Sequence, residues 1–224
     1  MSTAVAPDGT ARPTIGSQWI KANAIGAAIN VAVTFVAFLI GQALGVNEKG
    51  TSGALQAVFV LFATVALGLG LLAMGYLSGV VLRTKLPAFP MRTWLALYVV
   101  FGAIFGSVSA FAWLTPEIPT GPAEPIETAV VLGLMLGAAI AGVVISTVVG
   151  SLQALILRPA AVGLGRWIAC CALAGLLFVL IVPAVIYGPQ SGFAQELMMQ
   201  LVTLVVTILA TVILLPAVER LQPR

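Results

Sequence analysis

The sequence predicts an all-α membrane protein of six transmembrane helices, arranged as three tandem parallel hairpins with both termini in the cytoplasm. Three observations carry that prediction. Of the 224 residues, 61% are hydrophobic and only 8% charged, whereas a soluble domain carries about 25% charged residues. The mean hydropathy is +1.15, and apolar runs of spanning length recur six times along the chain. Finally, the basic residues sort to one side of those runs, which fixes a direction.

Residues 1–18 are polar, rich in Ala, Thr and Pro, and read as a disordered cytoplasmic tail. They hold no apolar core of the kind a cleavable signal peptide needs. The rest, 19–220, reads as a single transmembrane domain. A helix needs about 20 apolar residues to cross a hydrocarbon core of about 30 Å. The runs at 22–46, 53–82, 93–114, 128–157, 167–187 and 196–218 meet that length. The second and fourth, at about 30 residues, would reach about 45 Å and must tilt or project from the bilayer. Pro183 is expected to kink the fifth near its outer end.

Polar, proline-rich segments separate the runs. Residues 115–126 carry Pro116, Pro119, Pro122 and Pro125 and form the main outer loop, after which Glu127 opens the next helix. The loop at 84–92 holds Pro87 and Pro90, and the loop after the fourth run opens with Pro159. With the N-terminus inside, Arg12, Lys21, Arg83, Lys85, Arg92, Arg158, Arg166, Arg220 and Arg224 are all cytoplasmic, and only Lys49 is outside. Glu48, Glu117, Glu124, Glu127 and Glu196 fall on the outer face. This positive-inside split fits only an even number of crossings.

The pI near 9.2 is therefore a topology signal and not the mark of a nucleic-acid partner. Arg83, Lys85, Arg92, Arg158 and Arg166 are expected to meet anionic headgroups at the cytoplasmic face. Trp19, Trp94 and Trp167 open the odd-numbered runs and are expected to anchor the same interface. The interval from Trp19 to Arg83 equals that from Trp94 to Arg158. The same constant shift superposes Gly75 on Gly150, Leu77 on Leu152 and Leu82 on Leu157. The chain thus reads as hairpins 19–83, 94–158 and 167–220, the first two alike enough to suggest duplication. Repeats of one orientation would share an axis along the membrane normal, as in some transporters.

Small residues recur at four-residue spacing in Gly41/Gly45, Gly75/Gly79, Gly102/Gly106 and Gly133/Gly137. Such pairs let helices approach closely, within the chain or against a second copy or another membrane protein. Polar stripes mark two helices. Asn23, Asn30 and Thr34 share a face of the first, and Gln200, Thr203, Thr207 and Thr211 share a face of the last. In lipid these stripes should turn inward, as interhelical glue or as a solute path.

The inventory excludes much chemistry. The chain has no histidine, which removes His-based catalysis and His-ligated haem. Gly106-Ser107-Val108-Ser109 has the look of an intramembrane serine-protease site but lacks a histidine base. Asp8 is the only aspartate. Cys170 and Cys171 are adjacent and suit apolar filling more than a disulfide or a metal site. No acidic or basic residue lies near a span centre, which argues against an ion-coupled pump. No cofactor, metal or catalysis is expected.

The expectation is a non-enzymatic multi-pass membrane component, accessory or scaffold in role, in a bacterial inner membrane. The alternative is a small transporter or channel for a neutral or amphipathic solute. A cavity lined by Asn30, Thr34, Thr203 and Thr207 would favour the alternative, and dry packing of those residues the scaffold.

Overall fold

The computed structural model describes residues 13–48, 50–114, 127–189 and 192–224. Its helices are α1 (Ile15–Ala43), α2 (Gly53–Lys85), α3 (Met91–Leu114), α4 (Thr128–Leu157), α5 (Leu164–Gly175), α6 (Ile181–Tyr187) and α7 (Gly192–Arg220). A 3-10 turn at Leu176–Leu180 joins α5 to α6, so these two form one interrupted span. Two short strands, β1 (Ala161–Val162) and β2 (Gln222–Pro223), pair antiparallel.

Local chemistry sets most boundaries. Thr14 caps α1 by accepting the Ser17 amide at 3.2 Å, so α1 begins inside the segment expected to be tail. Residues 1–12 lie outside the described residues. At its other end α1 stops on Gly45, whose φ of +59° only glycine adopts cheaply. The Gly45 amide donates to the Gln42 carbonyl, and the Val46 amide to the Gly41 carbonyl, the paired bonds of a Schellman stop. Gly45 therefore ends the helix and does not join Gly41 in a packing pair. Ser52 caps α2 through the Leu55 amide at 3.3 Å. The outer loop at 115–126 falls outside the described residues.

The fifth span breaks where proline requires it. The ring of Pro183 would collide with the carbonyl four residues back in a regular helix, and the backbone of Leu176–Leu180 tightens to 3-10 geometry ahead of it. Pro216 lies near the C-terminal end of α7, where few bonds remain to be broken.

Going round the bundle, neighbouring helices follow the order α3, α2, α1, α7, α5, α4. The ring almost closes, but α3 and α4 barely touch. The segment 94–158 is thus not a packed hairpin, unlike 19–83 and 167–220, whose helices pack against each other. Close glycine contacts hold each of these two helices to its other neighbour. α3 lies on α2 where Gly102 meets the Gly68 backbone and Gly106 meets Thr64. On the far side of the gap, α4 crosses α5 where Gly142 and Gly175 meet backbone to backbone. Each helix of the middle pair is drawn to a different neighbour.

Gly41 lies under the Phe59 ring, Gly75 under the Tyr98 ring, and Gly79 against Met91 and Trp94. These three pack as the sequence suggested. Gly133 and Gly137 do not, because a Cβ added at either would meet nothing within 4 Å. From Thr128 to Ala141 every α4 residue except Val131 is exposed or half-exposed. Among the described residues, little approaches the N-terminal part of α4, where Val131 alone is buried.

Two cores hold the ring. The larger gathers Trp19, Leu82, Leu86, Trp94, Leu157, Trp167, Val218 and Leu221, all near one end of the bundle. The smaller, around Val46, Phe59, Ala63 and Ala110, lies at the opposite, distal end. Both ends of the helical region, Ile15 and Arg220, lie at the tryptophan end. There Lys85 Nζ donates to the Val218 and Glu219 carbonyls, closing the C-terminus of α7 with a cation. β2 lies beside β1, and Arg224 donates from its amide to Ala160 and from its guanidinium to the Arg158 carbonyl.

Candidate functional site

The three tryptophans that open the odd-numbered spans meet in the interior of the bundle, near the end that holds the larger core. The Trp167 indole packs edge-on against Trp19 at 6.0 Å and against Trp94 at 6.3 Å between ring centroids. Their exposures are 4%, 0% and 1% for Trp19, Trp94 and Trp167. As interface anchors they would face headgroups, but here they face one another. A buried indole needs an acceptor for its N–H, and each finds one on an adjacent helix. Trp94 of α3 donates to the Gly75 carbonyl of α2 at 2.9 Å. Trp167 of α5 donates to Gln153 Oε1 of α4 at 3.1 Å. Trp19 of α1 donates to the Thr211 carbonyl of α7 at 3.3 Å. Each bond joins the first helix of one expected hairpin to the second helix of another, in cyclic order.

The residues four positions on, Asn23, Tyr98 and Cys171, stand one helical turn above this layer. All three line a central cavity of about 380 Å³ with walls from all six spans. That volume lies within the range of about 300–1,000 Å³ typical of small-molecule sites. The lining is mainly apolar and contains no acidic or basic side chain. The tryptophan layer closes one end. Between α3 and α4 the wall is incomplete, and there Phe105 and Ile145 both line the cavity and remain 47% and 43% exposed.

Polar groups border the cavity from several walls, among them the Tyr98 hydroxyl of α3 and Ser146 of α4. On α7, Thr203, Thr207 and Thr211 border the cavity, and each hydroxyl donates to the carbonyl four residues back at 2.8 Å. With that proton committed to the helix, each oxygen can only accept a further bond. On α4, Gln153 commits its Oε1 to Trp167. No fully enclosed side-chain nitrogen or oxygen lacks a partner among the described residues. The Gln153 Nε2, which bonds to none of them, is therefore a donor with access to the cavity it borders. On α1, Asn23 gives one N–H to the Trp19 carbonyl at 2.9 Å and keeps its amide oxygen.

The sequence-predicted stripes divide. Asn23, Thr203, Thr207 and Thr211 reach the cavity. Asn30 instead fits against Gly70 of α2, and the buried Thr34 donates to the Asn30 carbonyl at 2.8 Å. Gln200 is buried further along α7, donating to Glu196 Oε1 at 2.6 Å. Arg83, Arg92, Arg158 and Arg166 are exposed around the tryptophan end, while Lys85 is held inward by the α7 carbonyls. Cys170 and Cys171 are both free and buried, with Cys171 against Gly150.

Sequence reasoning missed Gln153 and Ser146, the α4 side of the cavity. Both sit in a strongly apolar helix, and the shift that superposes Trp19 on Trp94 sets Gln153 on Ser78, which is buried. A polar residue at both positions related by that shift was the available signal.

Six helices, each long and apolar enough to cross a bilayer, fit a multi-pass integral membrane protein in contact with lipid. Compared with protein-family models, with curated proteins and with solved structures, the chain finds no match.

Proposed function

We propose that this chain is a non-enzymatic carrier of a neutral or amphipathic solute, which it holds in the central cavity. The observation that supports this most directly is the cavity itself, walled by all six spans and bordered by the threonine stripe of α7 and by Asn23. A scaffold has no need of uncommitted polar groups around an internal space. The absence of acidic and basic residues from the lining favours a neutral ligand, since burying an unpaired charge is costly. The tight closure at the tryptophan end suits a carrier that opens alternately better than a continuous pore.

The reading extends to topology. The tryptophan end faces the cytoplasm, with both termini inside, and Arg83, Arg92, Arg158 and Arg166 meet anionic headgroups. The membrane is a bacterial inner membrane. The cyclic bonding of the three indoles supports descent from a repeated hairpin, with the repeat axis along the membrane normal. Reporter fusions test the orientation: those at residues 88 and 162 should read inside and one at residue 120 outside.

The functional test is solute flux in proteoliposomes. Ala210 borders the cavity from α7, so Ala210→Trp should abolish uptake of neutral test solutes such as glycerol or a short alkyl alcohol. Leu209→Trp, at an exposed neighbouring position, should leave uptake unchanged. Equal flux for both variants and for empty liposomes would refute the carrier reading.

One observation favours a second reading. The largely exposed N-terminal part of α4, with Gly133 and Gly137 open to approach among the described residues, suits packing against a second copy of this chain. Cysteine cross-linking at residue 137 in native membranes tests it, with a dimer band expected and a purely monomeric product refuting it.

A further inference from the structure

We infer that the ligand comes from the bilayer, through the opening between α3 and α4, and is a neutral single-chain lipid alcohol whose hydroxyl is held at Gln153. This rests on the cavity being a binding site and specifies what it takes.

The route follows from the walls. Five of the six helix boundaries around the cavity are packed, and the tryptophan layer closes one end. The α3–α4 boundary is the incomplete one, and the side chains that flank it inside the cavity, Phe105 and Ile145, are apolar and exposed. The residues along that side, including Val144, Val148 and Val108, are exposed aliphatics of a spanning helix, so the opening looks onto lipid. A solute arriving there is one already dissolved in the hydrocarbon.

The head chemistry follows from which protons are committed. Gln153 can donate through Nε2 but has its oxygen engaged by Trp167. Thr207 and Thr211, on α7, have spent their protons on their own helix and can only accept. Gln153 and Thr211 stand at one level, because the indoles bonded to them, Trp167 and Trp19, touch at 6.0 Å. A group satisfying both must accept one hydrogen bond and donate another. A hydroxyl does so, whereas an ether or ester oxygen can only accept. A carboxylate or phosphate would bring a charge into a lining that has none to match it.

The tail fits the rest of the space. Gln153 lies eight residues from Ile145 on α4, about 12 Å along the helix axis. Between the two levels the walls are mostly apolar, from Val149 and Phe178 to Phe105. A hydroxyl at the tryptophan end therefore leaves an alkyl chain running past Phe105 and Ile145 into the bilayer.

The probe is a long-chain alcohol carrying a terminal alkyne and a mid-chain diazirine, irradiated with the full-length protein in lipid nanodiscs and mapped by peptide mass spectrometry. Saturable labelling of α3 and α4 peptides around Phe105 and Ile145 is expected, displaced by unlabelled alcohol but not by the matching fatty acid or methyl ether. Gln153→Met keeps the side-chain length while removing the amide donor, and should weaken displacement by the alcohol roughly five- to tenfold. Ile145→Trp narrows the opening from an exposed position and should suppress labelling without disturbing Gln153. Labelling that does not saturate, that is equal for alcohol, acid and ether, or that persists in Ile145→Trp would overturn the inference. If glycerol flux is blocked by Ala210→Trp while the alcohol fails to label the cavity, the carrier reading stands and the lipid-alcohol ligand falls. If neither occurs, both fall.

Discussion

Gly102 and Gly133 have the same chemistry and opposite surroundings, and the difference is measurable. A Cβ at Gly102 would come within 2.6 Å of the Gly68 Cα, backbone that cannot rotate away, so α2 and α3 would have to separate. Gly102→Val should destabilise the protein by about 1–3 kcal/mol, the usual range for overpacking, read as a lowered unfolding midpoint in detergent. Gly133→Val, with open space around it, should leave the midpoint of the isolated chain unchanged. Equal effects would mean that the α2–α3 contact is not set by these glycines. The tryptophan layer makes a companion prediction. Trp94→Phe keeps an aromatic ring beside Trp167 but withdraws the donor from the buried Gly75 carbonyl. That carbonyl also accepts the Ser78 hydroxyl, so the loss should be modest, about 1 kcal/mol, in the same melting assay.

At the scale of elements, the sequence was legible wherever local chemistry decides. The run at 128–157 coincides with α4, and the others differ by a few residues at their ends. α1 is the largest displacement, because Thr14 captures the Ser17 amide and Gly45 stops the helix early. Four-residue glycine spacing could not tell a packing pair from a helix stop, since both use the missing Cβ for different reasons. Gly45 separates the cases experimentally. Gly45→Ala forces a side chain into left-handed φ and should cost about 1 kcal/mol, fraying the turn that Thr51 and Gln56 fasten to the Gly45 and Val46 carbonyls. Hydrogen exchange at Val46 and Leu44 should accelerate while that at Leu82 stays unchanged. The Pro183 break was legible in position, but its form was not: a proline announces that bonds are lost, whereas the 3-10 turn is how the preceding backbone re-satisfies itself.

The arrangement of the whole ring was the least legible, because hydropathy says that a helix spans and not which helix it meets. The inward turn of Trp19, Trp94 and Trp167 depends on carbonyls and an amide from α7, α2 and α4, which no local pattern announces. The same holds for the α3–α4 gap, where Gly68 of α2 and Gly175 of α5 receive the two helices on different partners. The ring is nonetheless fastened at one end by a feature that can be removed alone. Beyond α7 the last residues bury Leu221 at 2% exposure, pair β2 with β1, and bond Arg224 to Ala160 and Arg158. This strap ties α7 to the connection between α4 and α5, beside the layer that closes the cavity. Deleting residues 221–224 removes one buried leucine, worth about 2 kcal/mol, and frees the 158–163 connection without altering any cavity wall. Proteolysis within that connection should accelerate. If the tryptophan layer is a closure that opens during passage, the truncated protein should also leak neutral solute across proteoliposomes faster than the intact chain. If the layer is a fixed floor, stability should fall with permeability unchanged, and a carrier that alternates at this end would be excluded.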